Sequence, residues 1–374
     1  MKAREGKHMP EPVLQTLFNG KQLQKARRAL GLTERDLGAT IGVADGNIVS
    51  WEEGKSSPAA ELFERLCAAL GVRAAFLLRP SPPIPAGTFF RKKQLMEPEP
   101  ADLSPATRKA VFRFFELCRL QTELEDLLGK RRSPGIPAFL PDDAEHVASQ
   151  VRAKLGIGVK PIADAESVLF KQGIRIFRLE VPGEEFSGLS VWDKNFGPAI
   201  LAESRDTYHR HRFTLFHEYG HLVTVGPGLS QATVCDLDWD SDPESFANNF
   251  AAAMLVPQHS PEVWSFPEEH PNPQPEDLDG LVKHFSVSRE VIARRLFTLK
   301  MADWILVQRV RGQSEVYPLV AFPRKRAGWK KALGDVYLGL AREAYKKGYI
   351  SLGKLAEYLA VDPETALEYV EGQA

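Results

Sequence analysis

The segment Phe213-Thr-Leu-Phe-His217-Glu218-Tyr-Gly-His221-Leu-Val223 places two histidines four residues apart in a largely apolar run. On an α-helix, residues i and i+4 lie about 40° apart around the axis and one turn along it. His217 and His221 would therefore direct their imidazoles to one spot, where a single metal ion could bind a nitrogen atom from each. The apolar surroundings predict a buried helix. Because buried polar clusters need partners, this context favours a metal site.

A glutamate, Glu218, directly follows the first histidine. On a helix it projects about 100° away from His217, so it can act on a metal-bound water without ligating the metal. This is the HExxH arrangement of zinc peptidases, in which the metal lowers the pKa of a water molecule and the glutamate takes its proton. Five-residue matches also arise by chance, and two helical histidines can be ordinary surface or core residues.

Zinc in such a site needs a third protein ligand and leaves its fourth position to water. The downstream stretch from Asp242-Pro243 to Pro257 predicts a second helix, with Asp242 as its N-cap and the proline at its first position. On that helix Glu244 shares a face with the small residues Ala247, Asn248 and Ala251. Small residues allow two helices to approach closely, which a ligand shared between helices requires.

Other candidates for the third ligand are less favourable. Asp236, Asp238 and Asp240 form an alternating acidic ladder that suggests a calcium loop, and His259 follows the second helix. The ladder lacks the glycine and the closing glutamate of such a loop, so calcium is not expected. We therefore expect Glu244 to be the third ligand.

Both segments together resemble the ImmA/IrrE metallopeptidase family, whose members typically read R-F-T-x-x-H-E-x-G-H and then E-x-x-A-[ND]-x-F-A-A. Here the two motifs begin at Arg212 and at Glu244, and the resemblance extends over roughly residues 140–300. It implies a zincin-like fold with one Zn²⁺ per chain on His217, His221 and Glu244, a gluzincin-like ligand set, and Glu218 as general base. Phe216 and Glu203 depart from the family pattern without altering a ligand.

Residues upstream of the metal helix are candidates for other roles. Tyr208, His209 and His211 have side chains suited to stabilise an oxyanion. Two residues apart, the histidines would diverge by about 200° on a helix and are poor co-ligands. Asn248 could orient a ligand. Ser187–Trp192 is expected to be an edge strand that holds an extended substrate.

Residues 15–79 predict an all-α helix-turn-helix domain, in which Thr33 caps one helix and Gly42-Val43 forms the turn. They resemble the lambda-repressor-like XRE pattern G-L-T-x-x-x-L-A-x-x-x-G-V, with Gly38 in place of the usual alanine. Such a fold would present the helix that starts near Ala44 to a DNA major groove.

Side chains available for DNA contact are Asp45, Asn47 and Ser50 on that helix, and Lys21 and Arg28 on the first helix. Between Lys21 and Val72, however, seven basic and seven acidic side chains balance. Phosphate contacts dominate nucleic-acid affinity. Protein recognition or dimerisation therefore stays open beside DNA binding.

Composition sets the broad class of the chain. A length of 374 residues predicts two or three domains, and 43% apolar residues suffice for packed cores. Three scattered cysteines (Cys67, Cys118, Cys235) fit a reduced cytoplasm better than a disulfide framework. There is no hydrophobic signal core and no apolar run of membrane-spanning length. We expect a cytoplasmic protein without a membrane partner.

The expected fold is multidomain and mainly α: the helix-turn-helix domain is followed by an α+β zincin-like domain with a small sheet and by a helical C-terminal region. Ile305–Val310 and Glu315–Val320 are expected to pair as strands. The predicted boundaries are 15–79 for the helix-turn-helix domain, 80–104 for a proline-rich linker, 105–139 for a connecting helix, 140–300 for the metallopeptidase domain and 301–374 for a small α/β to helical region of unknown role.

Two functions are compatible with this layout. The first is a zinc-dependent endopeptidase that cleaves a regulatory protein, which the resemblance implies to be a repressor or antitoxin-like regulator in a stress or transcription response. The second is a DNA-binding transcriptional regulator whose peptidase-like domain acts as a sensor or scaffold without turnover. A homodimer is compatible with either.

Overall fold

The chain consists of two compact units in the computed structural model. The first unit contains the described residues up to 78 together with residues 104–127 and 339–372, and the second contains residues 89–91 and 128–338. The described residues are 18–72, 74–78, 89–91, 104–139, 143–181, 187–225, 231–235, 242–313 and 328–372. The architecture is mainly α with one small sheet, as predicted. The domain boundaries given above stay predictions.

Five helices at the start of the first unit form the predicted helix-turn-helix domain. Their buried apolar side chains recur at helical spacing and share one core, which includes Leu23, Leu37 and Ile48. The helices are α1 Gly20–Ala29, α2 Glu34–Ile41, α3 Asp45–Glu52, α4 Ala60–Leu70 and α5 Ala74–Leu77.

Local chemistry fixes the turn between α2 and α3. The Asp36 amide donates to Thr33 Oγ1 over 3.1 Å and the Thr33 amide donates to Asp36 Oδ2 over 2.9 Å, so the expected cap is a reciprocal capping box. Gly42 ends α2 with φ 77°, a left-handed conformation that favours glycine. A Cβ on Gly38 would lie 2.7 Å from the Val43 carbonyl oxygen, so this glycine lets the turn approach α2 more closely than alanine would.

A second helix-turn-helix arrangement lies at the C-terminal end of the first unit. It consists of α16 Leu352–Leu359 and α17 Pro363–Glu371, preceded by α15 Trp329–Lys346, which is interrupted at Gly334 by a non-helical backbone conformation (φ 75°, ψ 152°). α16 has the length of α2, and three residues separate the two helices in each pair. Tyr358 in α16 donates its hydroxyl to Glu123 over 2.7 Å and so attaches the motif to α6 Pro105–Leu128.

Residues 351–369 align with residues 33–51 without a gap. Each first helix begins with a hydroxyl N-cap and ends at a residue with positive φ, and the positions buried in the first motif are also buried in the second. The corresponding pairs are Thr33 and Ser351, Leu37 and Leu355, Ile41 and Leu359, Gly42 and Ala360, Val43 and Val361, and Trp51 and Tyr369.

A five-stranded sheet belongs to the second unit, with strand order β1-β5-β3-β4-β2. β3 is antiparallel to β4 and β5, whereas β2 is parallel to β4 and β1 is parallel to β5. The small sheet expected for the second domain is confirmed, and three of its strands, β2, β3 and β4, precede the helix that carries His217 and His221. The strands are β1 Phe89–Arg91, β2 Arg175–Leu179, β3 Gly188–Asp193, β4 Gly197–Glu203 and β5 Gln231–Cys235.

One strand prediction is wrong, and one strand was not predicted. Ser187–Trp192 is not an edge strand, because Gly188 pairs with Ala202 of β4 on one side and with Cys235 of β5 on the other. β1 lies inside the predicted linker, so part of that segment joins the sheet. Both errors concern pairing between segments distant in sequence, which the periodicity of one strand cannot reveal.

The predicted strand Ile305–Val310 is also wrong, because these residues belong to α14 Trp304–Gly312. Asp303 caps this helix by accepting a bond from the Leu306 amide over 3.1 Å. Leu306, Val307 and Val310 are buried at the i, i+1, i+4 spacing of a helix face, which outweighs the β-propensity of the branched residues. Glu315–Val320, the expected partner strand, lies outside the described residues.

The remaining helices of the second unit surround the sheet and one large core. That core packs the metal-motif helix α9 against α10, and α10 against α7. Among the described residues, no helix combines the length and apolar character needed to span a bilayer. The helices are α7 Ala144–Lys154, α8 Ala165–Lys171, α9 Tyr208–Val225, α10 Asp242–Leu255, α11 Pro261–Glu269, the 3₁₀ turn Pro275–Leu278, α12 Asp279–Phe285 and α13 Arg289–Thr298.

Buried arginines connect these helices through backbone carbonyls. Arg212 of α9 donates to the Phe285 carbonyl over 2.8 Å, and to the carbonyls of Ser286 and Ile162. Arg295 of α13 donates to the Val256 carbonyl over 2.8 Å, just after α10. The last carbonyls of a helix lack intrahelical partners, and these guanidinium groups supply donors to carbonyls at such ends.

α9 and α10 approach closely where glycine faces alanine. A Cβ on Gly220 would lie 3.1 Å from Ala247 Cα and 3.2 Å from Phe250 Cδ1. Real Cβ atoms rarely come this close to a neighbouring backbone, so the crossing depends on the missing side chain. Ala247, one of the small residues expected on the α10 face, lies at this contact.

We predict that Gly220→Val destabilises the protein by about 1–3 kcal/mol more than Gly280→Val does, because the added methyl groups overpack the crossing. Gly280 is the matched control, since it is an exposed helical glycine whose Cβ would meet no atom within 4 Å. Both changes put the same β-branched residue into a helix, so urea denaturation of the two variants isolates the packing effect. Equal losses of unfolding free energy would contradict this role of Gly220.

Candidate metal centre

Three side chains from α9 and α10 converge on one point. His217 and His221 are one turn apart on α9, and their Nε2 atoms lie 3.1 Å from each other. The Glu244 carboxylate reaches them from α10, with Oε2 3.1 Å from His217 Nε2 and Oε1 3.6 Å from His221 Nε2. Within the described part of the chain, this is the group of three whose ligand atoms lie close enough to hold a metal ion.

The spacing of these atoms matches tetrahedral coordination. Metal–ligand bonds of about 2.0–2.1 Å at tetrahedral angles place neighbouring ligand atoms about 3.3–3.4 Å apart. The separation of 3.1 Å between the two Nε2 atoms lies near that value, as do the separations of 3.1 and 3.6 Å from His217 and His221 to the two different oxygens of Glu244. The donor atoms and their spacing therefore fit a divalent metal ion.

Burial and charge also suit a metal. Relative exposure of His217, His221 and Glu244 is 0%, 5% and 8%. Burial raises the pKa of Glu244, but its hydrogen bonds with His217 and His221 outweigh that effect and hold the pKa at about 2. The carboxylate is therefore ionised at neutral pH and can offset part of the charge of a cation.

Asn248 forms a hydrogen bond with the first histidine. Its Oδ1 lies 2.9 Å from His217 Nδ1, and both side chains are fully buried. An amide oxygen can only accept, so this bond places the imidazole proton on Nδ1 and directs the Nε2 lone pair to the metal position. This geometry supports the ligand-orienting role expected for Asn248.

Glu218 is buried between α9 and the start of β3. A Cβ on Gly188 would lie 2.4 Å from Glu218 Oε1 and 2.8 Å from Thr214 Cγ2. Position 188 must therefore be glycine for the carboxylate to occupy this place. Sequence reasoning missed Gly188 as part of the site; the only available signal was a glycine at the start of a predicted strand.

The three oxyanion candidates lie at the other end of α9. Tyr208, His209 and His211 precede His217 by six to nine residues, which corresponds to about 9–13 Å along the helix axis. Tyr208 donates its hydroxyl to the Ala163 carbonyl over 3.1 Å, and burial, with the charge of Arg212, lowers the pKa of His209. The structure does not bring these side chains into the three-ligand group, and their role in catalysis stays a prediction.

His211 instead belongs to a polar cluster between α8, β2 and α9. Its Nε2 lies 3.0 Å from Glu166 Oε1, and Arg178 pairs with the same carboxylate. Burial raises the pKa of Glu166, but the hydrogen bond from His211 and the charge of Arg178 outweigh it and lower the pKa to about 2. Burial lowers the pKa of His211, which favours the neutral ring. This cluster fixes the start of α9.

The two departures from the family pattern have structural roles. Glu203 accepts a bond from the Val181 amide over 2.8 Å and pairs with Arg205, so it fixes the chain after β4. Phe216 is fully buried in the core of the second unit. Neither side chain belongs to the group of metal-binding candidates.

The helix-turn-helix candidates are accessible on α1 and α3. Asp45 and Asn47 are exposed, and Ser50 is half-buried with its hydroxyl 2.7 Å from Ser56 Oγ. Lys21 and Arg28 are exposed on α1. α3 carries no basic side chain, so any phosphate contacts depend on its neighbours.

The repeated motif differs in charge. Its second helix, α17, exposes Glu364, Glu368 and Glu371 and has no lysine or arginine. Those carboxylates would repel phosphates. The repeated backbone arrangement therefore carries an acidic second helix.

Comparison with known protein families agrees with both sequence resemblances. Residues 170–297 match the family described as the IrrE N-terminal-like domain, and residues 23–77 match the family described as Helix-turn-helix. No curated protein shows a significant match to the chain. The two matches confirm the predicted families and their order, and they support DNA binding and a metallopeptidase-type domain.

We predict that Asn248→Ala lowers the affinity for a divalent metal by about 10–100-fold, because His217 loses the bond that sets its tautomer and orientation. Asn249→Ala is the matched control, since this neighbouring side chain bonds Ser245 and not a candidate ligand. Competition with a chromogenic chelator measures both affinities. A loss of equal size in the control would contradict the orienting role.

Proposed function

We propose that this chain, in which a helix-turn-helix domain precedes an IrrE/ImmA-like peptidase-family domain, is a zinc-dependent endopeptidase that cleaves a regulatory protein. The observation that carries the proposal is the convergence of His217, His221 and Glu244 at tetrahedral spacing, with Glu218 on the same helix. Zinc peptidases of this type use two histidines and a glutamate as ligands, together with a second glutamate that directly follows the first histidine.

Each side chain has one task in this reaction. His217, His221 and Glu244 would hold the zinc ion, which when bound polarises the scissile carbonyl and lowers the pKa of a water molecule. The Glu218 carboxylate accepts the proton that this water loses as its oxygen attacks the carbonyl carbon. Glu218 then donates the same proton to the leaving amine as the carbon–nitrogen bond breaks. Burial of Glu218 against Gly188 keeps the carboxylate in position for both transfers.

The proposed substrate class follows from the family resemblance and from the helix-turn-helix domain. Relatives of this type are expected to cleave a repressor or antitoxin-like regulator in a stress or transcription response. A helix-turn-helix domain in the same chain would increase the local concentration of the peptidase near regulators bound to DNA. We place this activity in the cytoplasm, in keeping with the cysteine content. A homodimer stays a prediction.

A second function is supported by the helix-turn-helix family match. In that case the chain is a DNA-binding transcriptional regulator whose peptidase-like domain acts as a sensor or scaffold without turnover. The complete set of Glu218 and three ligand candidates favours the peptidase, because a scaffold has no need of the general base. The two functions are compatible, and separate experiments test them.

We predict that Glu218→Gln abolishes proteolysis and retains metal, because the amide cannot accept the proton of the attacking water while the three ligands are intact. Comparative proteomics of cells that express the wild-type or the Glu218→Gln protein under stress would show a protein fragment only with the former. Purified components would then reproduce the cleavage.

Glu244→Gln is the control for metal binding. It replaces an anionic ligand with a neutral amide, so it should lower both metal content and cleavage. Full cleavage by the metal-replete Glu218→Gln protein would reject the assignment of Glu218. Absence of any wild-type-specific fragment would favour the regulator without turnover.

We predict that the protein binds DNA that carries the promoter of its own gene, and that this affinity falls steeply as the salt concentration rises. Asn47→Ala should weaken this binding more than it weakens binding to unrelated DNA. Lys21→Ala combined with Arg28→Ala should lower affinity for both DNAs and flatten the salt dependence, because phosphate contacts are lost. Glu364→Ala in the acidic helix α17 is the control and should not lower affinity. If Asn47→Ala weakens binding to the promoter DNA no more than it weakens binding to unrelated DNA, protein recognition is favoured instead.

A further inference from the structure

One face of α9 continues from the catalytic glutamate to an exposed arginine. Arg210, Thr214 and Glu218 follow each other at i, i+4 and i+8, so they lie on neighbouring positions of the same side of the helix. A Cβ atom at position 188 would lie 2.4 Å from Glu218 Oε1 and 2.8 Å from Thr214 Cγ2. This face of α9 therefore lies along the beginning of β3.

Arg210 reaches the same part of β3. Its Nη2 donates to Ser187 Oγ over 2.9 Å, and Ser187 directly precedes Gly188. Its Nε also pairs with Asp206 Oδ1 over 3.2 Å, while 53% of the Arg210 side chain is exposed. A guanidinium group has five N–H donors, so these contacts leave donors for a further acceptor. A partly exposed cation thus lies next to the residue that contacts the catalytic carboxylate.

The separation corresponds to a few residues of an extended peptide. Arg210 precedes Glu218 by eight positions, or about 12 Å along the helix axis. An extended chain rises about 3.3 Å per residue. A peptide that runs along this face of α9 with its scissile bond at Glu218 would bring a residue three or four positions away to Arg210.

We propose that Arg210 is a specificity-determining residue that binds a carboxylate side chain of the substrate three or four residues from the scissile bond. The guanidinium fork suits aspartate or glutamate, because it can donate two parallel hydrogen bonds to one carboxylate. The preferred substrate is accordingly an acidic, extended peptide segment. The proposal rests on the proposed peptidase function, whose groove it describes in more detail.

The test measures peptide binding without turnover. Full-length, zinc-loaded Glu218→Gln protein is titrated with fluorescent peptides of alternating alanine and glutamate, glutamine or lysine. Acetylated and amidated ends exclude contributions from terminal charges. We expect the glutamate peptide to bind about tenfold more tightly than the glutamine peptide, because a charge-assisted bond to a half-exposed arginine falls near the lower end of its range.

Variants at position 210 separate recognition from folding. In the Glu218→Gln background, Arg210→Gln should abolish the preference for the glutamate peptide, Arg210→Lys should retain part of it, and Arg210→Glu should shift the preference to the lysine peptide. Arg309→Gln is the matched control, since Arg309 is an exposed arginine on α14 that bonds Gln274, and it should keep the original preference.

An unchanged glutamate preference in Arg210→Gln would overturn the proposal, as would equal binding, or no binding, of the glutamate and glutamine peptides to the parent protein. Failure of the peptidase function gives a different result. In that case the proteomic comparison finds no fragment. The parent protein would still bind the glutamate peptide more tightly than the glutamine peptide, and Arg210→Gln would still lose this preference.

Discussion

The close contact between Gly220 and Ala247 is the constraint on which the candidate metal centre depends. Gly220 immediately precedes the candidate ligand His221, and Ala247 lies about one turn after the candidate ligand Glu244. The distance between α9 and α10 at this crossing therefore sets the distance between the histidine nitrogens and the carboxylate. A side chain added at this crossing would move the Glu244 carboxylate away from the two histidines. Packing and chemistry are thus determined by the same pair of small residues.

Buried arginines maintain this crossing from outside. Removing a guanidinium group from water is costly unless its donors are satisfied, and Arg212 and Arg295 donate to carbonyls of other segments. Arg212 lies on the metal-motif helix itself, whereas Arg295 fixes the residue after α10. Each bond connects parts of the chain that are distant in sequence. The two ligand-bearing helices are consequently held at their ends as well as at their contact.

How much could be predicted from the sequence depends on the range of the interaction. Features set within one turn of helix were predictable, such as the facing positions of His217 and His221 or the cap at Thr33. The pairing of β5 with β3 was not, because it joins segments that share no local signal. Gly188 was missed for the same reason: its lack of a side chain matters only where Glu218 arrives from another element. The helix at 305–310 was misread since branched residues fit both a strand and a buried helix face.

The repeated helix-turn-helix separates backbone geometry from binding chemistry. The second motif keeps the N-cap, the left-handed residue and the buried positions of the first, because these determine whether two short helices can pack across a three-residue turn. Exposed positions are free of that requirement, and there α17 presents Glu364 and Glu368. A surface of that charge opposes phosphate binding. The two motifs therefore have the same folding constraints and different surface charge, and recognition must be argued from exposed side chains rather than from the shared fold.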